Sequence, residues 1–154
     1  MRSLLGLGFR PFYLLAALFA IAVIGYWLLS YLAIVEVGGY LRGAFWHSHE
    51  MVFGFAVAVI SGFLLTAVRN WTGRPTPTGL ALALLAGLWF LGRVLMVTGP
   101  PMIAAFVDVL YLPFLIVAIA LPVFFSRNQR NYKVVILLVL VALVHLVFHV
   151  ASLG

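Results

Sequence analysis

The residues best suited to chemistry in this sequence are its four histidines, which fall into two pairs. His47 and His49 are separated by one residue, whereas His145 and His149 are about one helical turn apart. Side chains four residues apart share a helix face, so the second pair can chelate one metal ion or serve neighbouring centres. Imidazole is a ligand of haem iron and of copper, and the chain has no cysteine to offer a softer ligand. The four histidines are therefore candidate ligands of a metal or a cofactor.

Three charged residues lie within otherwise apolar segments and are candidate partners of these histidines. Glu50 follows His49 directly. It can orient an imidazole, carry protons or stabilise the beginning of a helix, and the sequence leaves these roles open. Arg93 and Asp108 are most simply an ion pair that joins two consecutive helices. Because a charged group inside a membrane normally faces the protein interior or water, these residues indicate a polar site.

Helical geometry restricts how the histidines can be combined. His145 and His149 approach from one side, so a haem with two histidine ligands would need one ligand from each pair. His47 and His49 are about 200° apart around a regular helix, so His49 is expected to point away from the face shared by His47 and Glu50. Both can serve one site only if the helix begins after His47 or begins irregularly. The alternative is two different sites.

The composition indicates the surroundings of these side chains. Hydrophobic residues make up 66% of the 154-residue chain, charged residues make up only 8%, and the mean hydropathy is +1.25. About a quarter of the residues of a soluble domain are charged, so this chain must expose its surface to lipid. The formal net charge of +6 could suggest a nucleic-acid partner. The basic residues, however, lie in short loops between apolar runs, which is typical of membrane orientation and not of nucleic-acid binding.

Five apolar stretches are long enough to cross a bilayer, which takes about 20 helical residues. We therefore predict an all-α, polytopic transmembrane helical bundle that forms a single domain. The predicted spans are 12–35, 46–68, 78–97, 102–125 and 132–152. With a cytoplasmic N-terminus, seven Lys and Arg residues lie on the cytoplasmic side, and the loops of the other side hold only Arg42. This asymmetry predicts that the N-terminus is cytoplasmic.

These spans place the histidines and the buried charges at a common depth. A helix rises about 1.5 Å per residue, and counting from the predicted span ends puts all of these residues in the outer half of the membrane. The residues concerned are His47, His49, Glu50, Arg93, Asp108, His145 and His149. The sequence therefore predicts one polar region, to which four of the five spans contribute.

Several longer motifs resemble those of one known family. The run from Trp46 to Ala56 reads WHSHEMVFGFA and resembles the W-H-x-H-E-M-x-x-G-[FY] signature of the NnrS family. The stretches that resemble other motifs of this family are 8–12, 62–68, 70–75 and 128–132. The resemblance covers the chain from Gly8 to His149, and the sequence is identified on these motifs as a member of the NnrS family.

The resemblance implies a function and a set of cofactors. NnrS proteins are bacterial membrane proteins linked to the response to nitric oxide and to denitrification, and they are described as containing haem and copper. For this chain the family implies haem b, copper and a location in the bacterial inner membrane. The ligands implied are His47, His49, His145 and His149, with Glu50, Arg93 and Asp108 beside them. Whether nitric oxide is substrate, ligand or inducing signal stays open at this point.

The length of the chain bears on its partners. It is shorter than typical members of the family, so we expect a homo-oligomer or a partner subunit to complete the bundle. The lipid bilayer is the expected surrounding, nitric oxide is a possible small-molecule partner, and no nucleic-acid partner is expected.

Two other functions are compatible with parts of the pattern. A metal-free transport or scaffold protein could use the polar residues as a proton or anion path. That path would consist of His47, Glu50, Arg93, Asp108 and His145. A cytochrome b-like quinol oxidoreductase has weaker support, because two stacked haems need histidines at two depths. The residues do not decide whether the chain is an enzyme.

Overall fold

The computed structural model describes residues 4–36, 39–127 and 129–154, and within these ranges every regular element is helical. Two short 3-10 turns, Leu4–Gly6 and Gln129–Asn131, accompany the longer helices. The longer helices are α1 (Phe9–Tyr31), α2 (Gly43–His49), a π-helical segment (Glu50–Ala56), α3 (Val57–Thr72), α4 (Gly79–Thr98), α5 (Pro101–Phe125) and α6 (Tyr132–Leu153). Asn128, the first residue of the motif 128–132, lies outside the described residues.

Among the described residues, five helices are long and apolar enough to cross a membrane. The second is the continuous run Gly43–Thr72, which consists of α2, the π-helical segment and α3. Large apolar side chains such as Ile21, Leu80 and Val147 point outward, where hydrocarbon can cover them. The prediction of an all-α, multi-pass membrane protein is therefore confirmed.

Glycine and proline end the helices where the sequence changes from apolar to turn-forming residues. α3 ends at Gly73, whose φ of +64° is a left-handed conformation that costs glycine little, and its N–H donates to the carbonyl of Arg69. α5 begins with Pro101 in its first turn, where a missing N–H costs no helical hydrogen bond. The short turn between α4 and α5 therefore makes these two helices an antiparallel hairpin.

The core of the bundle surrounds α5, which packs against α3, α4 and α6. Its side chains Leu115 and Ile119 are fully buried, together with Leu65 and Leu82 of the neighbouring helices. On the other side α1 packs against α3 and the π-helical segment. Below the polar residues the interior is thus mainly apolar, with a buried hydrogen bond from the hydroxyl of Tyr111 to that of Ser61.

The helix neither starts after His47 nor begins irregularly, because α2 is regular from Gly43, and the π-helical segment follows inside the span at the residue after His49. In a π-helix each backbone N–H donates to the carbonyl five residues earlier, instead of four as in an α-helix. Side chains before and after the segment are therefore rotated about the helix axis relative to a regular α-helix. The segment therefore changes which face of α2 is turned toward the bundle interior.

Candidate metal centre

The polar residues meet near one end of the bundle, where α2 and α5 begin and α4 and α6 end. We call this the site end. At a rise of about 1.5 Å per residue, five of these residues lie about 6 to 12 Å from the end of their own span on this side. They are His49, Arg93, Asp108 and the two histidines of α6. The common depth that the sequence predicted is therefore present in the structure.

Three imidazoles and one carboxylate converge on a single point. Nε2 of His145 lies 3.2 Å from Nε2 of His49 and 2.9 Å from Nε2 of His149. Oδ2 of Asp108 lies 3.2 Å from Nε2 of His49 and 3.3 Å from Nε2 of each of the two histidines in α6. All four side chains are buried, with at most 3% of each residue exposed. We refer to these four residues as the histidine-aspartate cluster.

The spacing within the histidine-aspartate cluster is that of ligands around one metal ion. With metal–ligand bonds of about 2.0 Å, the ligand atoms of a tetrahedral site are about 3.3 Å apart. The measured separations lie close to this value, and all four ligand atoms are within 4.8 Å of one another. Oδ2 of Asp108 is buried, and no described residue completes a hydrogen bond of normal geometry to it. The residues therefore fit a single metal ion.

Two further charged residues hold the ligands in place. Glu50 Oε1 lies 3.0 Å from Nδ1 of His49, so the carboxylate can accept the Nδ1 proton and leave Nε2 free to bind a metal. Arg93 donates to Oε2 of Glu50 at 2.9 Å and, through its other terminal nitrogen, to Oδ1 of Asp108. The predicted ion pair between Arg93 and Asp108 is confirmed, and the structure adds Glu50 to it.

The charges of this network do not cancel. Glu50 and Asp108 contribute two negative charges and Arg93 contributes one positive charge, so with neutral imidazoles the net charge is −1. Unbalanced charge is costly inside a membrane. A bound cation, or a proton on the imidazoles, would bring the network to neutrality.

A sequence model of the family described as NnrS protein matches residues 3–154, essentially the whole chain. The chain belongs to the NnrS family. Comparison with curated proteins gives no match, and no solved structure matches either. NnrS membership thus rests on a match along the whole chain, and the motif from Trp46 to Ala56 supplies His49 and Glu50 of the site end.

His47 of the NnrS motif is not part of the cluster. Its ring stacks on that of Trp27 in α1, with ring centroids 4.3 Å apart, and its buried Nδ1 has no hydrogen-bond partner among the described residues. The two histidines of the motif therefore have different surroundings. Of the alternatives that the sequence left open, the structure places only His49 beside the histidines of α6.

The expected orientation of His49 and Glu50 differs from the observed one. A regular helix would turn them to different faces, yet both are buried and both contact the network. The π-helical segment that follows accommodates this arrangement, because it shifts α2 around the axis relative to α3. Phe53 of that segment stacks on the ring of His145 at 4.1 Å and fixes its plane.

Tyr40 is a residue of the site end that sequence reasoning missed. It lies in the loop between α1 and α2, and its hydroxyl contacts Nδ1 of His149. Burial, followed by the neighbouring carboxylate of Asp108, raises the pKa of Tyr40, so the side chain is a neutral phenol at physiological pH. No spacing or motif marks a single tyrosine in a loop, and only the fold brings it to the cluster.

The haem b that NnrS membership suggests does not fit between these imidazoles. Axial nitrogens on opposite faces of a haem are about 4 Å apart, twice a metal–imidazole bond, and the flat macrocycle extends between them. Here His149 and Asp108 occupy the space around the 3.2 Å gap between His49 and His145. The cluster can hold a metal ion but cannot clamp a haem.

Proposed function

We propose that this protein binds one copper ion at the histidine-aspartate cluster and acts in the response of a bacterial inner membrane to nitric oxide and to nitrosative stress. The observation that carries the proposal is the convergence of three buried imidazole nitrogens and one carboxylate oxygen at metal-ligand spacing. The link to nitric oxide and to denitrification comes from the family. The geometry by itself supports only the metal.

Copper is favoured by charge as well as by ligand type. Imidazole nitrogen is a good ligand of copper, and the cluster offers no sulfur. A monovalent copper ion would bring the net charge of the network from −1 to zero. Copper can change its charge by one electron and can bind small diatomic ligands, which is compatible with nitric oxide as a substrate or ligand of the site.

The residues of the chain prepare this site. Glu50 keeps the proton of His49 on Nδ1, so that Nε2 presents its lone pair to the cluster. Arg93 fixes both carboxylates at once, so Asp108 is aligned with its Oδ2 toward the imidazoles. The surrounding helices exclude water, because every member of the cluster is buried.

Elemental analysis of the purified protein in detergent tests the proposal. After loading with Cu(I) and removal of excess metal, we expect about one copper per chain. The double variant His145→Ala/His149→Ala should bind none, whereas the control variant His47→Ala should keep it. A wild-type protein that holds no stoichiometric copper, but transports protons or anions in proteoliposomes, would support the metal-free alternative.

A growth assay tests the physiological role separately. A bacterium that lacks the gene should grow more slowly under a nitric oxide donor, and the wild-type gene should restore growth where the double histidine variant does not. Equal restoration by both would mean that the metal centre has no part in resistance to nitric oxide.

If haem b is also bound, His47 is the histidine that remains for it. Its Soret band should then persist in the double variant and disappear in His47→Ala.

A further inference from the structure

Tyr40 touches the metal centre from the loop between α1 and α2. Its hydroxyl contacts Nδ1 of His149 and also lies 3.9 Å from Sδ of Met96, to which it can donate. The hydroxyl carries one proton and can both donate and accept. Because it has two neighbours, the direction of each hydrogen bond depends on where the proton of His149 resides.

Metal binding fixes that proton. Nε2 of His149 faces the cluster, and it can bind a metal only through its lone pair, so the ring proton must then be on Nδ1. Nδ1–H donates to the oxygen of Tyr40, and the phenolic proton turns to the sulfur of Met96. All three groups are then satisfied.

Without metal, the hydrogen bond between Tyr40 and His149 can run in the opposite direction, from the hydroxyl to Nδ1. Nε2 of His149 is 2.9 Å from Nε2 of His145, and a hydrogen bond between two ring nitrogens requires that one of them carries a proton. When His149 carries it, Nδ1 is an acceptor and Tyr40 donates to it. The two states therefore differ by a reversal of one hydrogen bond.

The loop holds Tyr40 against α4, so that its hydroxyl reaches both the sulfur of Met96 and Nδ1 of His149. Gly39 has a φ of +91°, and a Cβ at this position would collide with the backbone carbonyl oxygen of Met96. Leu41 on the other side of Tyr40 is buried. The tyrosine is therefore fixed between the end of α4 and the end of α6.

The three imidazoles of the cluster differ at Nδ1. His49 faces the carboxylate of Glu50, an acceptor only, and Nδ1 of His145 has no hydrogen-bond partner among the described residues. Only His149 faces a hydroxyl, which can act in either direction. Glu50 thus favours one tautomer of His49, whereas the partner of His149 is compatible with both tautomers.

We infer that Tyr40 is a positioning residue that sets the tautomer of His149, its hydroxyl reversing from donor to acceptor when metal binds, with Met96 as the alternative acceptor. The inference rests on the proposed metal site. Since an imidazole bound to a cation is the stronger donor, the reversed hydrogen bond stabilises the metal-loaded state.

Cu(I) affinity, measured by competition with a chromophoric chelator, provides the first test. Tyr40→Phe should weaken binding about tenfold, within the range for groups that hydrogen-bond to ligating histidines. Met96→Leu should weaken it by less, because it removes only the acceptor of the loaded state. The double variant should bind no more weakly than Tyr40→Phe. Tyr26→Phe, which removes another hydroxyl of the same membrane face, is the matched control and should have no effect.

Nitrogen-15 chemical shifts of His149 provide a second readout that a purely structural role would not change. In the wild type the protonated nitrogen should change from Nε2 to Nδ1 on addition of Cu(I), and Tyr40→Phe should alter the tautomer population of the metal-free protein. Wild-type affinity in Tyr40→Phe, or additive effects of the two substitutions, would overturn the inference while leaving the metal site intact. A wild type without copper would instead overturn the proposed function.

Discussion

At the scale of single residues, the buried network depends on one guanidinium that serves two carboxylates. Arg93 can do this because its planar group carries several donors in a fixed arrangement, which a lysine ammonium cannot reproduce. The acidic residues it joins are Glu50 of the π-helical segment and Asp108 of α5. Arg93 therefore acts on the stability of the bundle as well as on ligand geometry.

Replacement of Arg93 by Met is expected to destabilise the protein by about 3 kcal/mol or more, because it leaves two buried carboxylates without a counter-charge. Unfolding in a mixed-micelle denaturant titration measures the change. Adding Asp108→Asn to this variant should restore part of the lost stability, because it removes one of the two buried carboxylates that lack a counter-charge. The exposed Arg130, replaced by Met, is the control and should change stability by less than about 0.5 kcal/mol.

Glu50→Gln should weaken copper binding about 10- to 100-fold, because a neutral amide holds the Nδ1 proton of His49 less firmly than a carboxylate does. The substitution also removes the net negative charge that attracts the cation. Chelator competition measures the affinity. Glu36→Gln, in the loop after α1, changes the total charge equally and should leave affinity unchanged. Equal effects of the two would point to general electrostatics and not to orientation of His49.

At the scale of elements, hydropathy was sufficient to predict five spans, because each helix must satisfy its backbone internally and present apolar side chains to lipid. The common depth of the polar residues also followed from residue counting. The face of His49 did not, because counting assumes 100° per residue and the π-helical segment departs from it. Nothing in the composition of EMVFGFA marks a π-helix, and tertiary contacts decide it.

Deletion of Val52, an exposed residue inside the π-helical segment, should convert the segment toward a regular α-helix. His49 would then rotate by about 100° relative to α3 and leave the cluster. We expect copper binding to be lost while circular dichroism shows unchanged helix content. The substitution Val52→Ala keeps the register and should retain copper. Binding by the deletion variant would show that the segment does not position His49.

At the scale of the whole molecule, the candidate site joins three helical spans that are distant in sequence. His49, Asp108 and the α6 histidines come from the second, fourth and fifth spans, so a bound ion would crosslink them. Sequence reasoning anticipated this grouping from depth. It could not identify Asp108 as a potential ligand or Tyr40 as a neighbour, because both depend on how helices rotate against one another.

Copper should therefore raise the thermal stability of the protein in detergent. A ligand that binds only the folded state at 100 times its dissociation constant contributes about 2.7 kcal/mol. Differential scanning fluorimetry with and without Cu(I) measures the shift in Tm, and a chelator should reverse it. The variant His145→Ala/His149→Ala should show no shift. A copper-dependent shift that persists in this variant would place the stabilising ion elsewhere.

The tight turn between α4 and α5 has a consequence for biosynthesis. Arg93 and Asp108 lie on the two arms of one hairpin, so they can enter the bilayer already neutralising each other as the ribosome delivers that hairpin. Glu50 is synthesised earlier and gains its counter-charge only when the same guanidinium arrives. The histidines of α6 are translated after all of them. A nascent chain thus pairs Arg93 with both carboxylates before the histidines of α6 are made, so the histidine-aspartate cluster is complete only when the last span has been translated.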